Sequence, residues 1–403
     1  DWEVKVFKSL TTRITVGIAN SATHAYSDKG IIMFRNQNIK ENFLDTNDLI
    51  YIKQDFANRY FNKQIKENDL LIARTGYPGT TCVVTKKYSG AQTFTTLIAS
   101  PKSELDSNYC AYFFNSAVGK RLFSAAQIGG AQKNVNANTL SNICVPLPPT
   151  LAEQQKIAKA LSDVDNVIST LEKLITKKKN LKQGTMQQLL TGKKRLPGFA
   201  KSDKFKQTEI GEIPEDWEVK SLSSIGEVKM CKRVLKFQTS ETGEIPFYKI
   251  GTFGKEPDSY ISRELFNFLK NNYSYPKKGD ILISAAGTIG RPVVFDGKDS
   301  FFQDSNIVWL DNDESVISNY FLSYVFKIIK WQTEDGGIVS RLYNNNFRVT
   351  QIPIPSKSEQ TAIANVLSSM DKEIEALNTK LEKYRNLKTG MMQQLLTGKI
   401  RLK

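Results

Sequence analysis

Met186-Gln187-Gln188-Leu189-Leu190-Thr191-Gly192-Lys193 recurs, residue for residue, as Met392-Gln393-Gln394-Leu395-Leu396-Thr397-Gly398-Lys399. Such a run of identity marks a duplication. A period of roughly 210 residues lies far outside the 20 to 50 of stacked solenoid repeats. Working outward, Asn180-Leu181-Lys182 matches Asn386-Leu387-Lys388. Val145-Pro146-Leu147-Pro148 matches Ile352-Pro353-Ile354-Pro355, and Gly129-Gly130 matches Gly336-Gly337. Asp69-Leu70-Leu71-Ile72 with Gly76 and Gly79 matches Asp280-Ile281-Leu282-Ile283 with Gly287 and Gly290. Asp1-Trp2-Glu3-Val4-Lys5 returns as Asp216-Trp217-Glu218-Val219-Lys220.

The octapeptide ends a segment with helical periodicity. Ile157, Leu161, Val164, Ile168, Leu171 and Ile175 are spaced alternately four and three apart. The second copy carries Ile363, Leu367, Met370, Ile374, Leu377, Leu381 and Tyr384. This is an a/d heptad seam, which a left-handed coiled coil requires. Prolines 148, 149 and 355 precede the seams. Thr150 with Glu153, and Ser356 with Glu359, predict a capping box at each start. Gly192 and Gly398 predict the stops. Lys178 and Lys182 interrupt the first seam, and the run Lys173 to Lys182 reads as a solvated face. Gly184 and Gly390, each costing about 1 kcal/mol in a helix, predict a kink or a close helix crossing.

Residues 1–148 and 216–355 differ in character, mixing short apolar runs, glycines and aromatics. Leu70–Ala73 and Ile281–Ile283 read as buried strands after acidic turn residues. Thr81–Val84 and Pro292–Phe295 read as the next strands. Tyr109 to Phe123 and Tyr320 to Trp331 read as helices. The expected fold is α+β: two similar globular domains joined by two long helices that form an antiparallel coiled coil. The expected boundaries are domain 1 at 1–148, a spacer helix at 149–192, a connector at 193–215, domain 2 at 216–355 and a second spacer helix at 356–403.

Formal charge is +15, from 56 Lys plus Arg against 41 Asp plus Glu. That balance favours a polyanionic partner, nucleic acid first and an anionic membrane surface second. With 40% hydrophobic residues the chain can build real cores. No run reaches the roughly 18 to 20 apolar residues needed to span a bilayer. Cys82, Cys110, Cys144 and Cys231 are widely separated and form no C-x-x-C pair. Unpaired thiols and the lack of an export signal predict a cytoplasmic location.

The arrangement resembles the specificity subunit of type I restriction-modification enzymes, and the resemblance covers almost the whole chain. It is carried by the duplicated Gln-Gln-Leu-Leu-Thr-Gly-Lys and by Glu153-Gln154 and Glu359-Gln360 at the helix starts. The lead-in Ile210-Gly211-Glu212-Ile213-Pro214-Glu215-Asp216-Trp217 and the pattern Gly279 to Ser284 belong to it too. Asn68 departs from the glycine of the second copy, and the lead-in has no counterpart ahead of Asp1. The resemblance implies two target-recognition domains, each reading half of a split, asymmetric DNA site. It implies that the helices act as a spacer and dock two modification (methyltransferase) subunits. Those partners would carry S-adenosylmethionine. Restriction/translocase subunits would supply ATP- and Mg-dependent cleavage, and this chain would bind no cofactor or metal.

The residues independently argue against catalysis by this chain. His24 is the one histidine, so no Ser-His-Asp or Cys-His set can repeat across the halves. Gly251-Thr252-Phe253-Gly254-Lys255 lacks the P-loop spacing and hydroxyl. No Asn-Pro-Pro-Tyr-like motif of an amino-methyltransferase occurs.

Reading DNA needs cations for phosphates and planar donors and acceptors for base edges. Three regions per domain qualify. The first holds Arg35, Asn36 and Asn38, aligned with Lys249 and Thr252. The second holds Arg74 and Tyr77, aligned with Thr288 and followed by Arg291. The third holds Gln132, Lys133, Asn134 and Asn136, aligned with Arg341, Tyr343 and Asn344. The copies differ most at these polar positions, as two unlike half-sites require. Helices of about 40 residues would be about 60 Å long at 1.5 Å per residue, against a DNA turn of about 34 Å. Helix length is therefore expected to fix half-site spacing. The competing readings are the recognition subunit of a related bipartite type II system, a coiled-coil scaffold without direct DNA binding, and a stand-alone nuclease.

Overall fold

The computed structural model describes residues 2–125, 134–331, 342 and 344–402. The chain divides into two compact units, Asp1–Lys173 with Asn378–Lys403, and Leu174–Leu377. Both long helices form as the seam predicts, over Leu151–Leu189 and Lys357–Leu395.

In the first unit an antiparallel sheet runs in the order Thr11–Val16, Leu97–Pro101, Leu70–Ile72, Thr81–Val83. Leu70, Leu71 and Ile72 are fully buried in its centre. A smaller sheet orders Gln92–Thr93, Ile31–Phe34, Ile50–Ile52 and Tyr26–Ser27. Glu3–Val6 pairs antiparallel with Cys144–Leu147, so the globular part closes end to end. The second unit repeats the plan. Its main sheet orders Gly226–Met230, Ile307–Asn312, Ile281–Ser284 and Pro292–Val294, and Glu218–Ser221 closes on Gln351–Ile354.

Each unit contains the start of one long helix and the end of the other. In the first, Ile157 and Leu161 share a core with Leu395 and Leu396. In the second, Ile363 and Leu367 share a core with Met186, Leu189 and Leu190. Ion pairs confirm the antiparallel direction: Asp165 meets Lys388 at 2.6 Å and Glu172 meets Arg385 at 2.7 Å in the first unit. In the second, Lys178 meets Glu373 at 2.7 Å and Lys182 meets Asp371. All thirteen seam residues are buried or half-buried. Full burial of an aliphatic side chain contributes about 1.5–3 kcal/mol, so the seam outweighs its two glycines.

Several expectations change. The compact units take in parts of both long helices beside the globular parts, because the helix ends complete the cores. The connector is folded: Phe205–Thr208 and Gly211–Pro214 form a hairpin whose Ile213 enters the second core. Gly184 and Gly390 face open space, with nothing within 4 Å of an added Cβ, so neither marks a close crossing. Lys178 and Lys182 are not simply solvated, since both reach across to acids. The expected helix Tyr109–Phe123 breaks at Ser116, an extended residue between Ser107–Asn115 and Ala117–Ala125. Its counterpart is shorter than expected, at Asn319–Val325. Asn68 adopts the same left-handed φ as Gly279, +66° against +95°, which asparagine tolerates, so this departure leaves the turn intact.

The capping boxes form by half. Thr150 and Ser356 accept from the Glu153 and Glu359 amides at 3.2 and 3.4 Å. The glutamate side chains, however, turn to arginines that follow the glycine stops. Glu359 is held by Arg195 at 2.6 and 2.8 Å and accepts from Trp217 Nε1 at 3.1 Å. Glu153 is held by Arg401 at 2.5 and 2.8 Å. The arginines lie over Trp217 and Trp2. The neighbouring glutamines bind the next layer: Gln154 accepts from the Asp106 amide at 2.8 Å, and Gln360 from the Ser318 amide at 2.9 Å. Asp106 and Ser318 are themselves helix N-caps. Gly192, at φ +72°, approaches Pro214 so closely that a Cβ would lie 2.4 Å from its ring.

Candidate nucleic-acid interface

In the first unit the three candidate regions converge on Arg74. Its amide donates to Asn36 Oδ1 at 2.8 Å. Its carbonyl accepts from the Val135 amide at 3.3 Å, and its Nε donates to the Val135 carbonyl at 3.4 Å. The site is therefore one loop cluster at the end of the main sheet, following Leu70–Ile72. Asn36 Nδ2 also donates to Thr95 Oγ1 at 3.1 Å.

The residues differ in what they can present. Tyr77 is 83% exposed beside the left-handed Gly76 and can stack on or hydrogen-bond to a ligand. Arg74 and Asn134 are half-buried at the cluster surface. Arg35 is committed to Asp48, with Nη2 reaching its carboxylate and its carbonyl at 2.7 Å. Asn38 is buried, accepting from the Arg35 amide and donating to the carbonyls of Asp45 and Asn47. Asn136 caps a short helix by accepting from the Thr139 amide at 2.8 Å. Asn38 and Asn136 thus brace loops in this conformation. Gln132 and Lys133 lie outside the described residues.

In the second unit one of these links, from the third region to the second, recurs with different side chains. The Leu342 amide donates to the Ala285 carbonyl at 2.9 Å, so Ala285 stands where Arg74 stands. The Ile250 amide donates to Gln303 Oε1 at 3.0 Å. Thr288 is exposed. Thr252 closes its own turn, accepting from the Lys249 amide at 3.1 Å. Lys249 pairs with Asp258 at 2.9 Å. Arg291 is tucked over Phe253 and donates to that residue's carbonyl. Asn344 begins the helix Asn344–Val349, while Arg341 and Tyr343 lie outside the described residues.

Sequence comparison then decides the family. The model of the type I restriction modification DNA specificity domain matches this chain twice, over residues 1–183 and 214–383. The chain belongs to this family.

The specificity subunit is 30% identical to the MjaVIII type I restriction enzyme specificity subunit of Methanocaldococcus jannaschii, over 88% of this chain and 85% of that one. It is 29% identical to the MjaX specificity subunit of the same organism, over 100% of this chain and 94% of that one. A type I specificity subunit of Haemophilus influenzae is 57% identical, over 40% of this chain and 41% of its own length. The fold matches the crystal structure of a type I restriction-modification S subunit from M. genitalium, with a TM-score of 0.61 at 15% identity, covering 98% and 96% of the two chains. The subunit's role is DNA sequence recognition in a type I system, not catalysis. Among the described residues, no group of acids, histidines and cysteines could hold a metal ion, and no helix is long and apolar enough to cross a membrane. The four cysteines are free thiols.

Sequence reading did not single out an open cleft in the second unit. Arg233, Lys236, Gln303, Asp304 and Asn306 line one open cleft with Lys249. Phe237, next to Lys236 in the chain, is 83% exposed. The basic pair Lys232-Arg233 was the available signal, but its partner Asp304 is remote in sequence.

Proposed function

We propose that each unit of this specificity subunit reads one half of a split, asymmetric DNA site, and that the long helices dock two modification subunits. The observation that carries this is a common frame bearing unlike loop chemistry, Arg74 in one unit against Ala285 in the other. Unlike readers on one chain call for unlike half-sites. The basic net charge supports phosphate contact, and so predicts strongly salt-dependent binding. Leu181 and Leu387, at matching places in the Asn-Leu-Lys repeat, stay about half exposed on the helices. A repeated exposed leucine fits two equivalent docking sites, and Leu387→Glu should release one partner while leaving the other bound. S-adenosylmethionine, ATP and Mg would belong to the modification and restriction subunits, and the complex would work in the cytoplasm.

Methylome sequencing of a cell carrying the complete system tests this reading. The expected result is a two-part motif with unlike halves and a fixed spacer, the spacer changing or methylation failing when one heptad is deleted from each helix. A single contiguous motif, or DNA retention indifferent to salt, would overturn it.

A further inference from the structure

We infer that Arg233, oriented by Asp304, reads a guanine in the half-site taken by the second unit. This rests on the DNA-reading function proposed above and extends it to one residue and one base. Arg233 follows the strand Gly226–Met230 and precedes the turn Lys236–Gln238. Its Nε donates to Asp304 Oδ2 at 2.8 Å. The Arg233 side chain is 67% exposed while that of Asp304 is 17% exposed. The acid is therefore the buried partner that fixes the group through Nε, which leaves both Nη groups of this cleft-lining arginine without a hydrogen bond to Asp304.

Asp304 is itself held by its loop. The preceding Gln303 is anchored at both ends, its amide on the Tyr248 carbonyl and its Oε1 on the Ile250 amide. Ser305 follows in a left-handed conformation at φ +54°. This arrangement suits base reading better than phosphate binding. A phosphate contact gains from net positive charge, and Asp304 cancels it. A base contact gains from a fixed donor fork, and Asp304 supplies that. Two parallel donors match guanine O6 and N7, and lysine cannot reproduce the fork.

The other Arg–Asp pair at a candidate loop is built the opposite way. Arg35 is 25% exposed and its Asp48 is 75% exposed, so the first unit turns the acid outward and keeps the guanidinium in. Of these two Arg–Asp pairs, the one in the second unit turns the arginine outward.

The test uses the full chain with its modification subunits, methylating a library randomised in both half-sites. Arg233→Ala should lose about 5- to 150-fold discrimination at one guanine of one half, leaving the other half, the salt slope and the unfolding midpoint unchanged. Arg233→Lys should fail to restore it. Arg233→Gln, whose amide suits adenine, should shift that position from guanine towards adenine. Asp304→Asn should blunt the same position. Uniform weakening across all sequences with a shallower salt slope would identify a phosphate contact and overturn the inference. So would an unchanged target, which would leave Arg233–Asp304 as a surface ion pair only. If the wild-type subunit itself showed no two-part preference, the DNA-reading proposal would fail first, and that outcome is visible before any variant is made.

Discussion

The two units agree where side chains pack and disagree where they face solvent. Glu153 with Arg401 and Glu359 with Arg195 are the same clamp built twice, as are Gln154 on Asp106 and Gln360 on Ser318. Asp165 and Asp371 each take a lysine from the antiparallel helix and a tyrosine hydroxyl, from Tyr112 at 2.8 Å and Tyr324 at 3.0 Å. The loop clusters share only their backbone links. Duplication preserved what the cores demand and left the readers free to diverge.

The clamps offer the largest effect by which this equivalence can be broken. Glu359 is almost fully buried and Arg195 is 9% exposed. Removing one partner of a buried pair costs about 3–5 kcal/mol when the other charge is left buried and unpaired. Arg195 keeps Asp216 at 2.7 Å, so Glu359→Ala should shift the second unit's urea transition towards the lower end of that range. Glu153→Ala should cost less, since Arg401 is 24% exposed and can hydrate. Equal losses would show that exposure of the arginine does not matter.

Arg74→Ala comes next. Ala285 occupies the same place in the second unit, so the frame does not need a long side chain there. The variant should keep its thermal midpoint while losing about 1–3 kcal/mol of discrimination at one base of the first half-site. Measuring both sharpens the contrast between frame and reader. A stability loss with an intact target would make Arg74 a brace like Asn38.

Acid should loosen both units together. Hydrogen bonding from Arg401 lowers the Glu153 pKa, and from Arg195 lowers that of Asp216. A carboxylate with a depressed folded pKa adds stability that is full above its unfolded value and is lost as pH falls through the folded one. Unfolding midpoints should thus be flat above about pH 5 and fall below about pH 4. Glu153→Gln should flatten the first unit's share of that slope, and an unchanged slope would remove the clamp from the acid response.

These residues also mark how far the sequence could be read. The seam and the glycine stops were legible because helix periodicity and left-handed turns are local. Glu153-Gln154 was legible as a motif and Thr150 as a helix cap, but the partner of the Glu153 side chain, Arg401, is brought close only by antiparallel pairing. Asn38 and Asn136 were read as base-edge donors. Asparagine equally serves loop backbones, and burial, which no single sequence reports, decides between the two uses. Arg233 was overlooked for the converse reason, since what distinguishes it from other surface cations is the Asp304 that fixes it.

The smallest expected effect lies on the helices' outer surface, where the repeat itself lapses. Arg385 binds Glu172 and Glu382 at 2.7 Å, yet all three side chains are about half exposed. Its counterpart position is Lys179, and that of Glu172 is Asn378, so this bridge was not kept in both copies. Exposed pairs contribute about 0.2–1 kcal/mol and less in salt. Arg385→Ala should move the first unit's transition by no more than that, and raising the salt should erase the difference. Lys388→Met, at a position shared by both copies and 20% exposed against Asp165, should cost more and resist salt, because Asp165 must then satisfy itself from Tyr112 alone. If the two variants proved equal, repetition of a contact would carry no information about its energy.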